Sequence, residues 1–134
     1  MSKITENIFI GDWHNAQDLN FLKRHNITHI LCLASELREI FKKKFVYKKL
    51  AIVDNQGFKI INFLDEATDF IQMALNTKRI HDSFSKKKSK NTVFVHCSDG
   101  ISRSSTVVIA FLMKFHKLNF ETAFSIVKKS RKKA

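Results

Sequence analysis

Proline is absent from the sequence, and glycine occurs only three times. No Pro- or Gly-rich stretch therefore offers a linker along which to divide the chain. There are two cysteines, Cys32 and Cys97, too few and too unpatterned for a disulfide framework. No apolar run approaches the length of a membrane span, and there is no internal repeat or low-complexity tract beyond short lysine runs. Serine at position 2 excludes the N-myristoylation motif, and Met1-Ser2-Lys3-Ile4 leads into polar residues rather than a secretory signal. A cytoplasmic or nuclear protein with no membrane anchor is the expectation. Tyrosine and tryptophan occur once each beside 13 phenylalanines, so phenylalanine supplies most of the large core volume.

What is present fits a single domain over residues 1–134, 44% hydrophobic and 27% charged. The formal charge of +12 favours anionic partners. The lysines cluster at 42 to 44, 48–49, 86 to 88 with Lys90, and 128 to 133 around Arg131. No nucleic-acid partner is expected. A solvated face is the plain reading of these clusters, and steering toward phosphorylated substrate is the functional one.

Periodicity gives an alternating order of elements. Residues 6 to 10 predict a first strand ending at Gly11, and residues 14 to 25 an amphipathic helix. The run ITHILCLA (27 to 34) predicts a buried strand, and FVYKKLAIV (45 to 53) another, stopped by the turn chemistry of Asp54-Asn55-Gln56-Gly57. Residues 58 to 76 place Ile60, Ile61, Phe63, Leu64, Ala67, Phe70, Ile71, Ala74 and Leu75 on one helical stripe, with Asp65 and Asp69 off it. His81 to Asn91 reads as an exposed loop, and TVFVH (92 to 96) as a strand. A helix follows from Ser102 to about Lys117. Asn119 then caps a last helix with Phe120, Ala123, Phe124, Ile126 and Val127 facing inward. Strands alternating with helices predict an α/β fold, a mostly parallel central sheet flanked by helices on both faces. Ligands of such sheets bind at the carboxyl ends of the strands, and 96 to 103 is one such end.

That junction carries the chemistry. In TVFVHCSDGISRSST (92 to 106), Cys97 ends a strand and Arg103 opens a helix, with Gly100 between them. A strand-to-helix turn aims backbone N–H groups of Ser98, Asp99, Gly100, Ile101 and Ser102 into one concavity, and the helix N-terminus adds partial positive charge. Such a cup suits a phosphate dianion, and Gly100 lets the backbone approach it closely. Arg103 can grip two phosphate oxygens at once. Cys97 lies at the mouth of the cup, which favours its thiolate as a nucleophile. Ser104 can hydrogen-bond the sulfur, and His96 can orient the loop through a backbone carbonyl. Cys32, in an apolar run, reads as core packing; a disulfide to an oxidised Cys97 is the sharper alternative. The other histidines show no metal-ligand spacing, so neither a metal nor another cofactor is expected.

The stretch His96-Cys97 through Arg103-Ser104 resembles the protein tyrosine phosphatase signature, and Ser102-Arg103-Ser104 looks most like its dual-specificity branch. NIFIGDWHNAQDLNFLKRHNITHILCLASE, AIVDNQGFKIINFLDEATDFI and TVVIAFLMKFHKLNFETAFSIVKKSR are similar to further parts of that branch, so the resemblance covers nearly the whole chain. It implies a metal-free two-step reaction through a phosphocysteine, on phosphotyrosine and phosphoserine/phosphothreonine of a protein substrate. It also implies a loop aspartate that protonates the leaving oxygen, a part that falls to Asp54. Asp82 is the weaker rival. Against the family pattern, the insert before the signature is long and lysine-rich, and the chain ends where one more helix is common. The alternatives are a catalytically silent phosphoprotein-binding module on the same fold and a sulfurtransferase that would not need Asp54. A monomer is the favoured oligomeric state.

Overall fold

The computed structural model describes residues 1–53, 59–77, 91–98 and 102–132. Strands β1 (Ser2–Thr5), β2 (Ile8–Gly11), β3 (His29–Cys32), β4 (Val46–Lys49) and β5 (Val93–His96) form one sheet in the order β1-β2-β5-β3-β4. β2, β5, β3 and β4 run parallel, and β1 adds an antiparallel edge. The helices are α1 (Trp13–Ala16), α2 (Leu19–Arg24), α3 (Leu64–Asn76, entered through a 3₁₀ turn at Ile60–Phe63), α4 (Ser102–Phe115) and α5 (Phe120–Lys132). This is the α/β architecture with helices on both faces that the pattern predicts.

The two-residue period of the strands sorts side chains between two layers. Ile8 and Ile10, Leu31, and Val93 and Val95 point into the larger core, where Ala67, Ile71, Val107, Phe111, Ala123 and Val127 of α3, α4 and α5 meet them. Phe9, Ile30 and Phe94 point the other way and pack on Ala16, Leu22, Ile27 and Phe45. Strands β3 and β5 are buried on both faces, which is why both read as unbroken apolar runs.

Local chemistry sets the boundaries. Asp12 and Asn15 form a reciprocal capping box at α1. Asp18 caps α2 through the Phe21 N–H, so the predicted helix over 14 to 25 is two short ones. Asn119 caps the last helix as expected, accepting from the Thr122 N–H at 2.9 Å. Asn91 Nδ2 donates to the Ala74 and Thr77 carbonyls and so closes the end of α3. Asp65 and Asp69 lie on the solvent side of α3, where both pair with Lys114 of α4. Most of the predicted insert lies outside the described residues.

Four expectations need correction. The amino-terminal residues, read as a polar lead, form β1, because Ser2 and Ile4 turn inward while Lys3 turns out. The strand expected over 45 to 53 keeps its ladder only for Val46–Lys49, a largely solvated edge whose lysines guard it against pairing. Phe120 and Phe124 do not face inward: they are 55% and 43% exposed, stacked on each other outside the Ala123–Val127 stripe. Ile61 of the predicted α3 stripe is likewise exposed, because the 3₁₀ turn shifts the phase of the residues before Leu64.

One close approach between the layers can be tested. A methyl group on buried Gly11 would sit 2.5 Å from the Phe94 ring and 2.7 Å from Asn15 Oδ1. Phe94 is fully buried, so its ring has no space to yield into. Gly11→Ala is expected to destabilise the protein by about 1–3 kcal/mol through overpacking. A urea midpoint unchanged from wild type would show that the Phe94 layer can yield.

Candidate active site

Several parallel strands release their chains at one edge of the sheet. Central β5 ends in fully buried His96, and Cys97 follows, 1% exposed. β2 passes into α1, whose Trp13 N–H donates to the Ser98 carbonyl at 2.9 Å. On the other side the Leu33 N–H donates to the His96 carbonyl at 2.9 Å and draws the β3 exit alongside. The chain after β4 arrives at Ile52, whose carbonyl accepts the Ser35 N–H at 3.2 Å.

The helix that begins at Ser102 brings Arg103 and Ser104 back to this edge. The Arg103 side chain is 6% exposed, and a guanidinium so placed needs partners on every donor. Nη1 donates to the Ile52 carbonyl at 3.0 Å, and Nη2 to Ser98 Oγ at 2.7 Å and Glu36 Oε1 at 3.2 Å. Nε is buried and has no hydrogen-bond partner among the described residues. Ser104 is fully buried, with its hydroxyl 3.6 Å from Cys97 Sγ. Ser102 is exposed at the start of α4. The structure thus gathers His96, Cys97, Ser98, Arg103 and Ser104 at one place. Asp54, Asp99, Gly100 and Ile101 lie outside the described residues, as does Asp82.

Glu36 is half exposed, and the partial burial that would raise its pKa is outweighed. Its own backbone N–H, the Arg103 guanidinium and the Ser35 hydroxyl hold its carboxyl below the usual value. His96 stacks with Phe94, at 5.5 Å and 17°, and with Trp13, at 6.3 Å and 27°. Burial pushes its imidazole down to about 4, against smaller opposing effects of the Cys97 carbonyl and Asp12. Nδ1 lies 3.4 Å from that carbonyl, which can only accept, so Nδ1 carries the proton. Cys32 is core, in register with His96 and packed with Ala34 and Leu37. Burial pushes its thiol up, and neither cysteine is in a disulfide.

The sequence reading missed Glu36, the Ile52 carbonyl and Trp13. None carries a motif, and each reaches the site only through the strand order β2-β5-β3-β4, which spacing along the chain does not encode. A charged residue four positions beyond a buried parallel strand was the available clue for Glu36. Among the described residues no group of His, Cys, Asp and Glu side chains could hold a metal ion, and no helix is long and apolar enough to cross a membrane.

Residues 8–134 match the family model for the catalytic domain of dual specificity phosphatases. The chain is 36% identical to Dual specificity protein phosphatase 1B of Arabidopsis thaliana, over 100% of this chain and 73% of that protein. It is 37% identical to Dual specificity protein phosphatase 1 of the same plant, over 97% of this chain and 60% of that protein. Among solved structures it is similar to the human tyrosine phosphatase-like serine/threonine/tyrosine-interacting protein. That match has a TM-score of 0.81 and 31% identity over 98% of this chain and 83% of that one.

The buried imidazole sets a pH dependence. His96 binds its proton at about 4 when folded and near 6.5 when unfolded, so the unfolded chain carries the extra proton between those values. Stability therefore rises with pH through that window and is lost as pH falls from about 6.5 to 4, by about 3 kcal/mol. Burial lowers His29 in the same direction, and the depressed Glu36 contributes its loss at lower pH. Urea midpoints measured from pH 7 to pH 4.5 are expected to fall less steeply in His96→Asn than in wild type; identical slopes would rule out His96 as the cause.

Proposed function

The chain belongs to the dual specificity phosphatase family, and on that premise we propose that it hydrolyses protein phosphate esters through a phosphocysteine at Cys97. The observation that carries this is the buried Arg103 guanidinium beside the residue that follows Cys97, with Nε unsatisfied among the described residues. A dianionic phosphoryl group supplies acceptors for that donor and for the amides of Ser98 through Ser102. Protein phosphatase activity follows from the family.

In the first step the Cys97 thiolate attacks phosphorus and the ester oxygen leaves. Asp54 gives that oxygen its proton, so an alcohol or phenol departs rather than an alkoxide. Support for Asp54 comes from the chain around it, since Ile52, two positions earlier, hydrogen-bonds Arg103. In the second step Asp54, now a carboxylate, takes a proton from water as water attacks phosphorus. The S–P bond breaks and sulfur leaves as thiolate, eased by the Ser104 hydroxyl. His96, neutral in its ring stack, exchanges no proton; it holds the Cys97 carbonyl and with it the direction of the loop. Arg103 neutralises the equatorial oxygens throughout. Phosphotyrosine and phosphoserine/phosphothreonine proteins are the assigned substrates. A module that only binds phosphoproteins would need the guanidinium but not the nucleophile.

Hydrolysis of a small aryl phosphate, a phosphotyrosyl peptide and a phosphoseryl peptide tests the scheme. Cys97→Ser is expected to abolish turnover of all three while still binding phosphate. Asp54→Ala is expected to lower kcat by about 100-fold, with the acid limb of the pH profile altered. Trapped phosphate on Cys97 after acid quench is the expected intermediate. Turnover surviving in Cys97→Ser would overturn the mechanism.

A further inference from the structure

The chain has a single tryptophan, and the chemistry above gives it no part. Trp13 nevertheless touches the site by two independent routes. Its backbone N–H holds the Ser98 carbonyl at 2.9 Å, one residue beyond the nucleophile. Its indole stacks with the His96 ring, which also stacks with Phe94.

We propose that Trp13 is a positioning residue, a brace that fixes where the phosphate loop leaves β5 and that senses occupation of the loop. The rings of Phe94, His96 and Trp13 form one column of stacked pairs. Phe94 and His96 share one face of β5, and Gly11, in register with His96, leaves room for the column by lacking a side chain. Phe94 is fixed in the core, so Trp13 decides whether the His96 ring has one position or several. The His96 ring in turn holds the Cys97 carbonyl. Trp13 is itself anchored: the Asp12–Asn15 capping box sets the start of α1, and the indole packs against Ala34 and Leu37. Two successive peptide units of the loop, at Cys97 and Ser98, thus take their direction from one side chain and the short helix that carries it. Oxyanions pull on those same peptide units through their amides, so binding must be felt at the indole.

The kinetic arm rests on the phosphatase reading, and the spectroscopic arm does not. In the kinetic arm, Trp13→Ala is expected to lower kcat by about 10- to 100-fold with KM nearly unchanged, as misplacement of a reacting group does. Trp13→Phe, which keeps a ring on His96, is expected to recover most of that loss. In the spectroscopic arm, inorganic phosphate added to wild type and to Cys97→Ser is expected to shift the emission of this lone tryptophan, saturating with the binding measured by calorimetry. Unchanged kcat in folded Trp13→Ala would overturn the brace while leaving the phosphatase standing. An emission shift in a wild-type protein without turnover would keep the brace and sink the phosphatase. If Trp13→Ala does not fold, Trp13→Phe and Trp13→Leu decide, because only loss of the ring should depress kcat. Phosphate that binds by calorimetry without altering emission also overturns the proposal.

Discussion

A guanidinium carries its charge permanently, and here it is buried at the edge of a sheet. Most of the site's geometry is the consequence of satisfying it. Three chain segments that share no sequence neighbourhood must each offer an oxygen: Ile52 a carbonyl, Glu36 a carboxylate, Ser98 a hydroxyl. Leaving a buried charge without partners costs several kcal/mol, comparable with a large part of a domain's net stability. Arg103 therefore ties the β3 exit, the β4 exit and the β5 exit together when the protein folds. Its Nε is the donor those partners leave over among the described residues. In the proposed function one residue thus serves both stability and recognition, because both need oxygens arranged about the same fork.

The sheet makes this affordable to assemble. Parallel strands deliver their carboxyl ends to one edge, and β5 is central, so its neighbours on both sides can contribute. Ser35, Leu33 and Trp13 donate backbone N–H groups across that edge, which leaves few peptide groups there to wander. The start of the chain after β5 is tied in this way: the Ser98 carbonyl accepts from the Trp13 N–H, and the Cys97 carbonyl lies against His96 Nδ1. Glu36 stays half exposed, so its interaction with Arg103 is screened on one side. That asymmetry suits a partner that steadies the guanidinium without binding it too tightly to meet phosphate.

How much of this was legible in the sequence follows from which information is local. The strand at 92 to 96, the helix after Ser102 and the Asn119 cap were readable because period and capping act over a few residues. The cluster of Cys97, Arg103 and Ser104 was readable for the same reason, since all three lie within one strand-to-helix turn. Glu36 and Trp13 were not, because their places depend on strand order rather than on spacing. The error at Phe120 and Phe124 has a different origin. Two phenylalanines four apart on a helix look like a core stripe, but Ala123 and Val127 already fill the contact with α4, and rings on the adjacent stripe are left to pair with each other. Hydrophobicity marks a helix face only to within its neighbouring stripe when small residues compete for the interface.

The histidine next to Cys97 shows how composition and geometry meet. An imidazole near a phosphate site could hold a charge that would help bind the dianion. Here two aromatic rings exclude water from it, and the neutral form prevails. Its contribution is consequently directional: one N–H, aimed at one carbonyl, held by ring contacts that have no charge to lose. Phenylalanine-rich composition favours this solution, because a sheet layer built around Phe94 offers flat surfaces rather than counter-charges. A cup whose positive character comes from amides and one guanidinium keeps its charge across the physiological pH range. A cup that borrowed charge from an imidazole would lose it within that range. The ring stack therefore removes the His96 imidazole from the groups that could change charge within that range.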